Sequence, residues 1–221
     1  MNYPQLERLI GIVATLRSEN GCQWDREQTH QSLRPNMLEE AYEAVDAIDD
    51  NDMKHLREEL GDILLQVVLH SVIAEEEHIF TLEDVVNEIT EKMIHRHPHV
   101  FNRDNQDEKK KSWEELKAEE KKNDTTLPLH GIPKALPALL RSAKVQKKAA
   151  VNYHHKMDAE FSVSQIALLA SQLENVKSKE QKEKLMTSIL YHMTNIAWQE
   201  NINLEDNLMQ NIDILINALE P

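Results

Sequence analysis

Apolar positions recur every three or four residues along this chain, the spacing of helices. Leu6, Leu9, Ile10, Val13 and Leu16 mark a first helix that ends near Asn20-Gly21. Gly21 to Arg34 reads as a loop with short turns, and it holds Trp24 and Asp25. Pro35 suits the first turn of a second helix, which runs to about Ile48. A third starts near Asp52, and the stripe Leu56, Leu60, Ile63, Leu64, Val67 and Val68 carries it to about Glu77. Thr81 is the expected N-cap of a fourth, with Asp84 three residues on; it reaches His95, and Pro98 closes it.

Beyond these helices the pattern changes. Asn102 to Lys122 is strongly charged, and Trp113, Leu116 and the Glu/Lys spacing indicate an exposed helix that completes a first domain, residues 1–122. Pro128, Gly131 and Pro133 make 123–134 a linker. A second helical unit follows over 135–221 and faintly repeats the first. Leu139-Leu140-Arg141-Ser142 is like Leu16-Arg17-Ser18, and Asn203-Leu204-Glu205-Asp206 is like Thr81-Leu82-Glu83-Asp84. Two divergent copies of one domain is the simplest reading.

Composition narrows the class. With only 4 Gly and 7 Pro in 221 residues, and Ala, Leu, Glu, Lys, Gln and Met plentiful, the expected fold is all-α. A formal net charge of −14 opposes general binding to nucleic acid or an anionic membrane. It leaves room for a polyphosphate held through metal ions and a few local cations. The single cysteine, Cys22, excludes an intrachain disulfide framework and fits a reducing compartment. The first residues lack the order of a signal peptide, and the best apolar stretch, Ile63 to Ala74, is interrupted by Gln66, His70 and Ser71. A cytoplasmic location is expected.

Four acids stand in mirror order about one turn. Glu40 and Glu43 precede the polar run Asp49-Asp50-Asn51-Asp52, Glu59 and Asp62 follow it, and both pairs are centred on Asn51. An antiparallel helical hairpin sets Glu40 level with Asp62 and Glu43 level with Glu59. The i,i+3 spacing within each pair aims both members from one helix face. Four converging carboxylates repel one another and raise each other's pKa. A hard divalent cation relieves this, and oxygen-only ligands suit Mg²⁺ or Mn²⁺. The rival reading is a solvated acidic face. Against it, Leu38, Ala41, Val45, Leu60, Ile63 and Leu64 flank the acids as a core face would, and Gly61 sits mid-helix, where close approach of a helix or ligand would favour it.

These residues resemble a known family. Glu39-Glu40-Ala41-Tyr42-Glu43 and, after fifteen residues, Glu59-Leu60-Gly61-Asp62 resemble the Glu-Glu-x-x-Glu…Glu-x-x-Asp signature of the MazG-type nucleoside triphosphate pyrophosphohydrolases. Gly21-Cys22-Gln23-Trp24-Asp25-Arg26-Glu27-Gln28-Thr29 is similar to the family's Gly-Cys-Pro-Trp-Asp-x-x-Gln-Thr, with Gln23 replacing the usual Pro. Arg96-His97-Pro98-His99-Val100-Phe101 and Trp113-Glu114 with Lys117 extend the likeness, which covers about residues 5 to 120. It implies an all-α MazG-like four-helix bundle, tandem domains, a homodimer, and Mg²⁺-dependent conversion of a nucleoside triphosphate to monophosphate and pyrophosphate. On this reading Glu40, Glu43, Glu59 and Asp62 would hold the metal, with Glu39 in or beside the shell as a proton acceptor. Lys92 and Arg96 would meet the substrate phosphates, and Trp113 the nucleotide.

Other candidates stay open at this level. Asn36 and Lys54, near the acids, are placed to contact phosphate or ribose; Trp24 stacks on a base or fills the loop's own core. Val163 to Ala170 carries no acid, and Glu180 and Glu183 face no acidic pair, so the second unit is expected to serve packing or dimerisation. Two other functions compete: a non-catalytic helical interaction protein, and a di-iron carboxylate protein using Glu27-x-x-His30 or Glu75-x-x-His78. His95, His97 and His99 look like a metal cluster, but Pro98 breaks the helix among them.

Overall fold

The computed structural model describes residues 3–101, 116 and 127–220. Among them are ten helices and no strand, the all-α fold expected. The chain divides into two compact units, residues 1–121 and 122–221. Trp113, Lys117 and most of the charged segment lie outside the described residues; Leu116 is helical and buried.

In the first unit, α1 spans Pro4–Arg17 and opens on a proline, whose missing N–H is not needed in a first turn. The chain then doubles back over the end of α1, where the Cys22 amide donates to the Leu16 carbonyl at 2.8 Å. A Cβ on Gly21 would stand 2.2 Å from that carbonyl oxygen, so only glycine fits there. Within the expected loop lies a short helix, α2 (Gln23–Glu27).

The next two helices, α3 (Arg34–Asp49) and α4 (Met53–Glu76), form the hairpin. Its turn is set by three residues. Asn51 takes φ 58°, a left-handed conformation that asparagine tolerates well. The Asp52 amide donates to the Ala47 carbonyl at 2.9 Å, closing α3. The Asp52 side chain then caps α4, its Oδ1 accepting from the amides of Lys54 and His55 at 3.0 Å each. Those two bonds hold the Asp52 carboxyl below its usual pKa.

α5 (Leu82–Arg96) begins with a capping box: the Thr81 hydroxyl accepts from the Asp84 amide, and the Asp84 carboxylate accepts from the Thr81 amide. Pro98 ends it as expected and opens a single further turn, α6 (Pro98–Phe101).

The core of this unit joins Val13 of α1, Leu33 ahead of α3, and Val68, Leu69, Val72 and Ile73 of α4, with Leu82 of α5 packed against it. It therefore grips the C-terminal half of α4. In the N-terminal half of that helix, Glu59 is the buried residue. Leu38, Val45, Leu60 and Leu64 do not form a core face: each is exposed in the single chain. Periodicity marks a helix face as apolar without saying what covers it. At Gly61 a Cβ would meet nothing within 4 Å, so among the described residues no neighbouring helix makes the close approach.

The second unit holds α7 (Ala138–Tyr153), α8 (Ala159–Leu173), α9 (Lys179–Gln199) and α10 (Leu204–Leu219). Its interior is polar. Gln146 of α7 donates to Thr194 Oγ1 of α9 at 2.9 Å, and Asn195 donates to Ser162 Oγ of α8 at 2.8 Å and to the Met157 carbonyl at 3.0 Å. The end of α9 copies that of α4. His78 and Asn201 are both left-handed, at φ 56° and 57°, and Ile79 and Ile202 each donate back to an alanine carbonyl, at 2.9 and 2.8 Å. Thr81 and Asn203 then stand as the next N-caps, so that pair of similar segments matches in structure. The other pair does not: Leu16-Arg17-Ser18 ends a helix, whereas Leu139-Leu140-Arg141-Ser142 begins one.

Candidate metal and active site

The hairpin carries its acids to one place. One carboxylate oxygen from each of Glu40, Glu43 and Glu59 lies within 4.8 Å of the other two. Glu43 on α3 feels Glu59 on α4 as its strongest neighbouring charge, and Glu40 feels Asp62 as its strongest. This is the cross-hairpin pairing that the mirror order demands. Asp62 stands outside the group of three oxygens, one turn further along α4. Glu39 is exposed beside the cluster and adds to the repulsion on Glu40.

The electrostatics are those of a cluster short of positive charge. Desolvation first, then Asp62, Glu43, Glu59 and Glu39, push the Glu40 carboxyl above its usual pKa. Desolvation and Glu59 lead the same shift at Glu43, partly offset by His55. Glu59 is only 5% exposed, and its Oε2 is buried with no hydrogen-bond donor. Its other oxygen, Oε1, lies 3.0 Å from His55 Nε2. A buried carboxylate oxygen without a donor is costly. With Glu40 and Glu43 beside it, the Glu59 carboxylate fits a bound cation, and the all-oxygen donor set fits a hard divalent one.

The remaining candidates lie on α2, α3, α4 and α5. Asn36 is half-buried one turn before Glu40 on α3, and Lys54 is exposed in the first turn of α4. Trp24 is 57% exposed on α2. Lys92 pairs with Glu88 on its own helix at 2.6 Å, and Arg96 lies at the end of the same helix. His30 does not join Glu27 in a di-iron motif; its Nδ1 lies 2.7 Å from Nδ1 of His70 on α4, in coplanar rings. His97 Nδ1 bonds the Met93 carbonyl at 2.7 Å. In the second unit Glu180 and Glu183 sit in exposed pairs with Lys184 and Lys179.

Two residues that position the first unit were not singled out from sequence. His55 lies four residues before Glu59, a spacing that sets both on one helix face. Arg17 is 6% exposed in its side chain and donates to the carbonyls of Asp25 and Gln28, tying α2 to α1.

Comparison with known proteins identifies a family. Residues 28–101 match the MazG nucleotide pyrophosphohydrolase domain, a span that contains the whole hairpin. The nucleoside triphosphate pyrophosphohydrolase/pyrophosphatase MazG of Thermotoga maritima is 38% identical over 202 residues, which is 91% of this chain and 79% of that protein. A nucleoside triphosphate pyrophosphohydrolase of Escherichia coli K12 is 44% identical over 151 residues, 66% of this chain and 57% of the relative. An uncharacterised Bacillus subtilis protein, YabN, is 47% identical over 148 residues but is spanned over only 30% of its length. With a domain match over the hairpin and a relative 38% identical over 91% of the chain, the chain belongs to the MazG nucleotide pyrophosphohydrolase family.

Proposed function

We propose that this chain is a divalent-metal-dependent nucleoside triphosphate pyrophosphohydrolase that converts an NTP or dNTP to the monophosphate and pyrophosphate. The observation that carries the reading is the trio of carboxylate oxygens within 4.8 Å, one of them on a buried glutamate whose Oε2 has no donor. The names of the Thermotoga and Escherichia relatives support the reaction. Glu40, Glu43, Glu59 and Asp62 would hold Mg²⁺, with Mn²⁺ as a substitute. A bound divalent cation supplies neutralisation of the triphosphate and activation of a water.

The chain's own groups do the rest. Glu39, exposed beside the cluster, is free to accept the proton of the attacking water. Asn36 and Lys54 flank the acids at the level of ribose or phosphate. Lys92 exchanges Glu88 for the β- and γ-phosphates, and Arg96 joins it, which makes pyrophosphate the better leaving group. Trp24 offers an exposed ring for a base, as Trp113 would from the segment outside the described residues. The second unit lacks a comparable acid cluster among its described residues and contributes packing.

The assembly is a homodimer in this reading. Leu38, Tyr42, Val45, Ile48, Leu60 and Leu64 present apolar surface on the same hairpin that carries the acids. Single exposed apolar residues are ordinary, but a run of this size on one hairpin supports an interface there. Among the described residues no helix is long and apolar enough to cross a membrane. The lone Cys22 and a nucleotide substrate suit the cytoplasm.

The test is product analysis over a panel of NTPs and dNTPs, with Mg²⁺, Mn²⁺ or chelator. Equal amounts of monophosphate and pyrophosphate, lost with chelator, are expected. Diphosphate with orthophosphate would overturn the reaction, and turnover in chelator would overturn the metal.

A further inference from the structure

His55 approaches the cluster from within α4. Its Nε2 lies 3.0 Å from Glu59 Oε1, at the helical i,i+4 spacing. The pair is asymmetric: the Glu59 side chain is 7% exposed, that of His55 is 43% exposed. The buried carboxylate is thus tied by one oxygen to a group at the surface. The backbone of His55 is fixed in turn, because its amide donates to Asp52 Oδ1 at 3.0 Å in the cap of the helix. One hydrogen bond and one 3.0 Å N···O contact link the hairpin turn to the buried acid.

The consequence falls on the other oxygen. Glutamate has three side-chain torsions, and repulsion from Glu40 and Glu43 would rotate Glu59 away from them when no cation is present. A donor on Oε1 opposes that rotation and holds the Glu59 carboxylate, whose Oε2 is buried without a donor, beside Glu40 and Glu43. We propose that His55 is a positioning residue for the metal site, donating Nε2–H to Oε1 of Glu59 so that Oε2 is the oxygen offered to the cation. The proposal rests on the metal reading given above. It needs only the N–H of a neutral imidazole, so a neutral side chain of similar reach that donates from the same place should replace it.

The experiment measures Mn²⁺ binding to the full-length protein by the electron paramagnetic resonance of free Mn²⁺, without substrate. Wild type should bind; His55→Ala should weaken binding about tenfold to a hundredfold, the usual cost of losing a group that orients a ligand. His55→Gln, whose amide reaches Oε1 from the same turn, should recover most of the loss. In a Glu59→Gln background His55→Ala should add little further weakening, because the residue acts through Glu59. Circular dichroism checks that each variant is folded. Wild-type affinity in His55→Ala would overturn the positioning role and leave the metal site standing. Equal weakness of His55→Gln and His55→Ala would overturn hydrogen-bond donation as its means. Failure of the wild type to bind Mn²⁺ would overturn the metal reading itself, and the proposal with it.

Discussion

Arg17, in the last turn of α1, meets Glu76, in the last turn of α4, with Nη2 to Oε2 at 2.7 Å and Nε to Oε1 at 3.0 Å. The same guanidinium donates to the carbonyls of Asp25 and Gln28, so one buried side chain joins two long helices to the segment that bears Trp24. The two ends of the pair are unequal, since the Glu76 side chain is 44% exposed. Arg17→Ala should cost about 2–3 kcal/mol, because it strands backbone acceptors inside the fold. Glu76→Ala should cost about 1 kcal/mol or less, as for a surface pair. Urea unfolding of both variants reads the difference; equal costs would mean that Arg17 acts through the ion pair alone.

Glu59→Gln should abolish turnover while leaving the metal-free protein as stable as wild type or slightly more so. Glutamine keeps an acceptor for His55 and removes one charge from a cluster that raises the pKa of Glu40 and Glu43. Added Mg²⁺ should raise the Tm of the wild type and leave that of this variant unchanged. Substantial hydrolysis by this variant would sink the assignment of the site.

The His30–His70 pair predicts a pH dependence. Desolvation, and then His30, hold His70 below the usual histidine pKa in the folded state. Above about pH 6.5 both the folded and the unfolded forms leave His70 neutral, and it adds no slope. As pH falls through that value the unfolded chain takes up a proton that the folded one refuses, so stability declines until the folded value is passed. Glu40 and Glu43 have the opposite sign and act in the carboxylate range, because their raised values favour the folded form there. His70→Gln should therefore flatten the loss of Tm between about pH 6.5 and 5. The same slope in variant and wild type would remove His70 as its source.

Gly61→Ala should stabilise the protein by roughly 0.5–1 kcal/mol, the usual gain in an exposed helix interior. The added methyl meets no atom within 4 Å. A loss of stability in chemical denaturation would show that something approaches Gly61 in solution.

Glu180→Gln with Glu183→Gln should leave turnover unchanged and shift stability by no more than about 0.5 kcal/mol, since both sit in exposed helical pairs. Lost activity in a folded double variant would give the second unit a part in the chemistry.

The hairpin was legible in the sequence because two local codes coincide there: i,i+3 spacing on each arm, and polar residues at the turn between them. Helix phase and turn position together fix which acid meets which, and Glu40, Glu43 and Glu59 do meet. What each apolar face packs against was not legible. Leu38 and Val68 obey the same periodicity, yet one is exposed and the other lies in the core. The role of His55 was hidden for a related reason, because a surface histidine gains meaning only once Glu59 is known to be buried. Three similar residues at Leu16 and Leu140 suggested equivalence, but so short a likeness does not say whether a helix is starting or ending there.

The left-handed Asn51 has a consequence in time as well as in space. It closes a hairpin of neighbouring helices, so the acids are joined by a short loop rather than by distant parts of the chain. Contacts that close short loops form early in folding. The repulsion among Glu40, Glu43, Glu59 and Asp62 then opposes the folding transition itself, before any nucleotide is bound. Refolding followed by stopped-flow should be faster with Mn²⁺ than with chelator, and no faster in Glu59→Gln. The ion that serves the reaction would also serve as a folding partner of the chain.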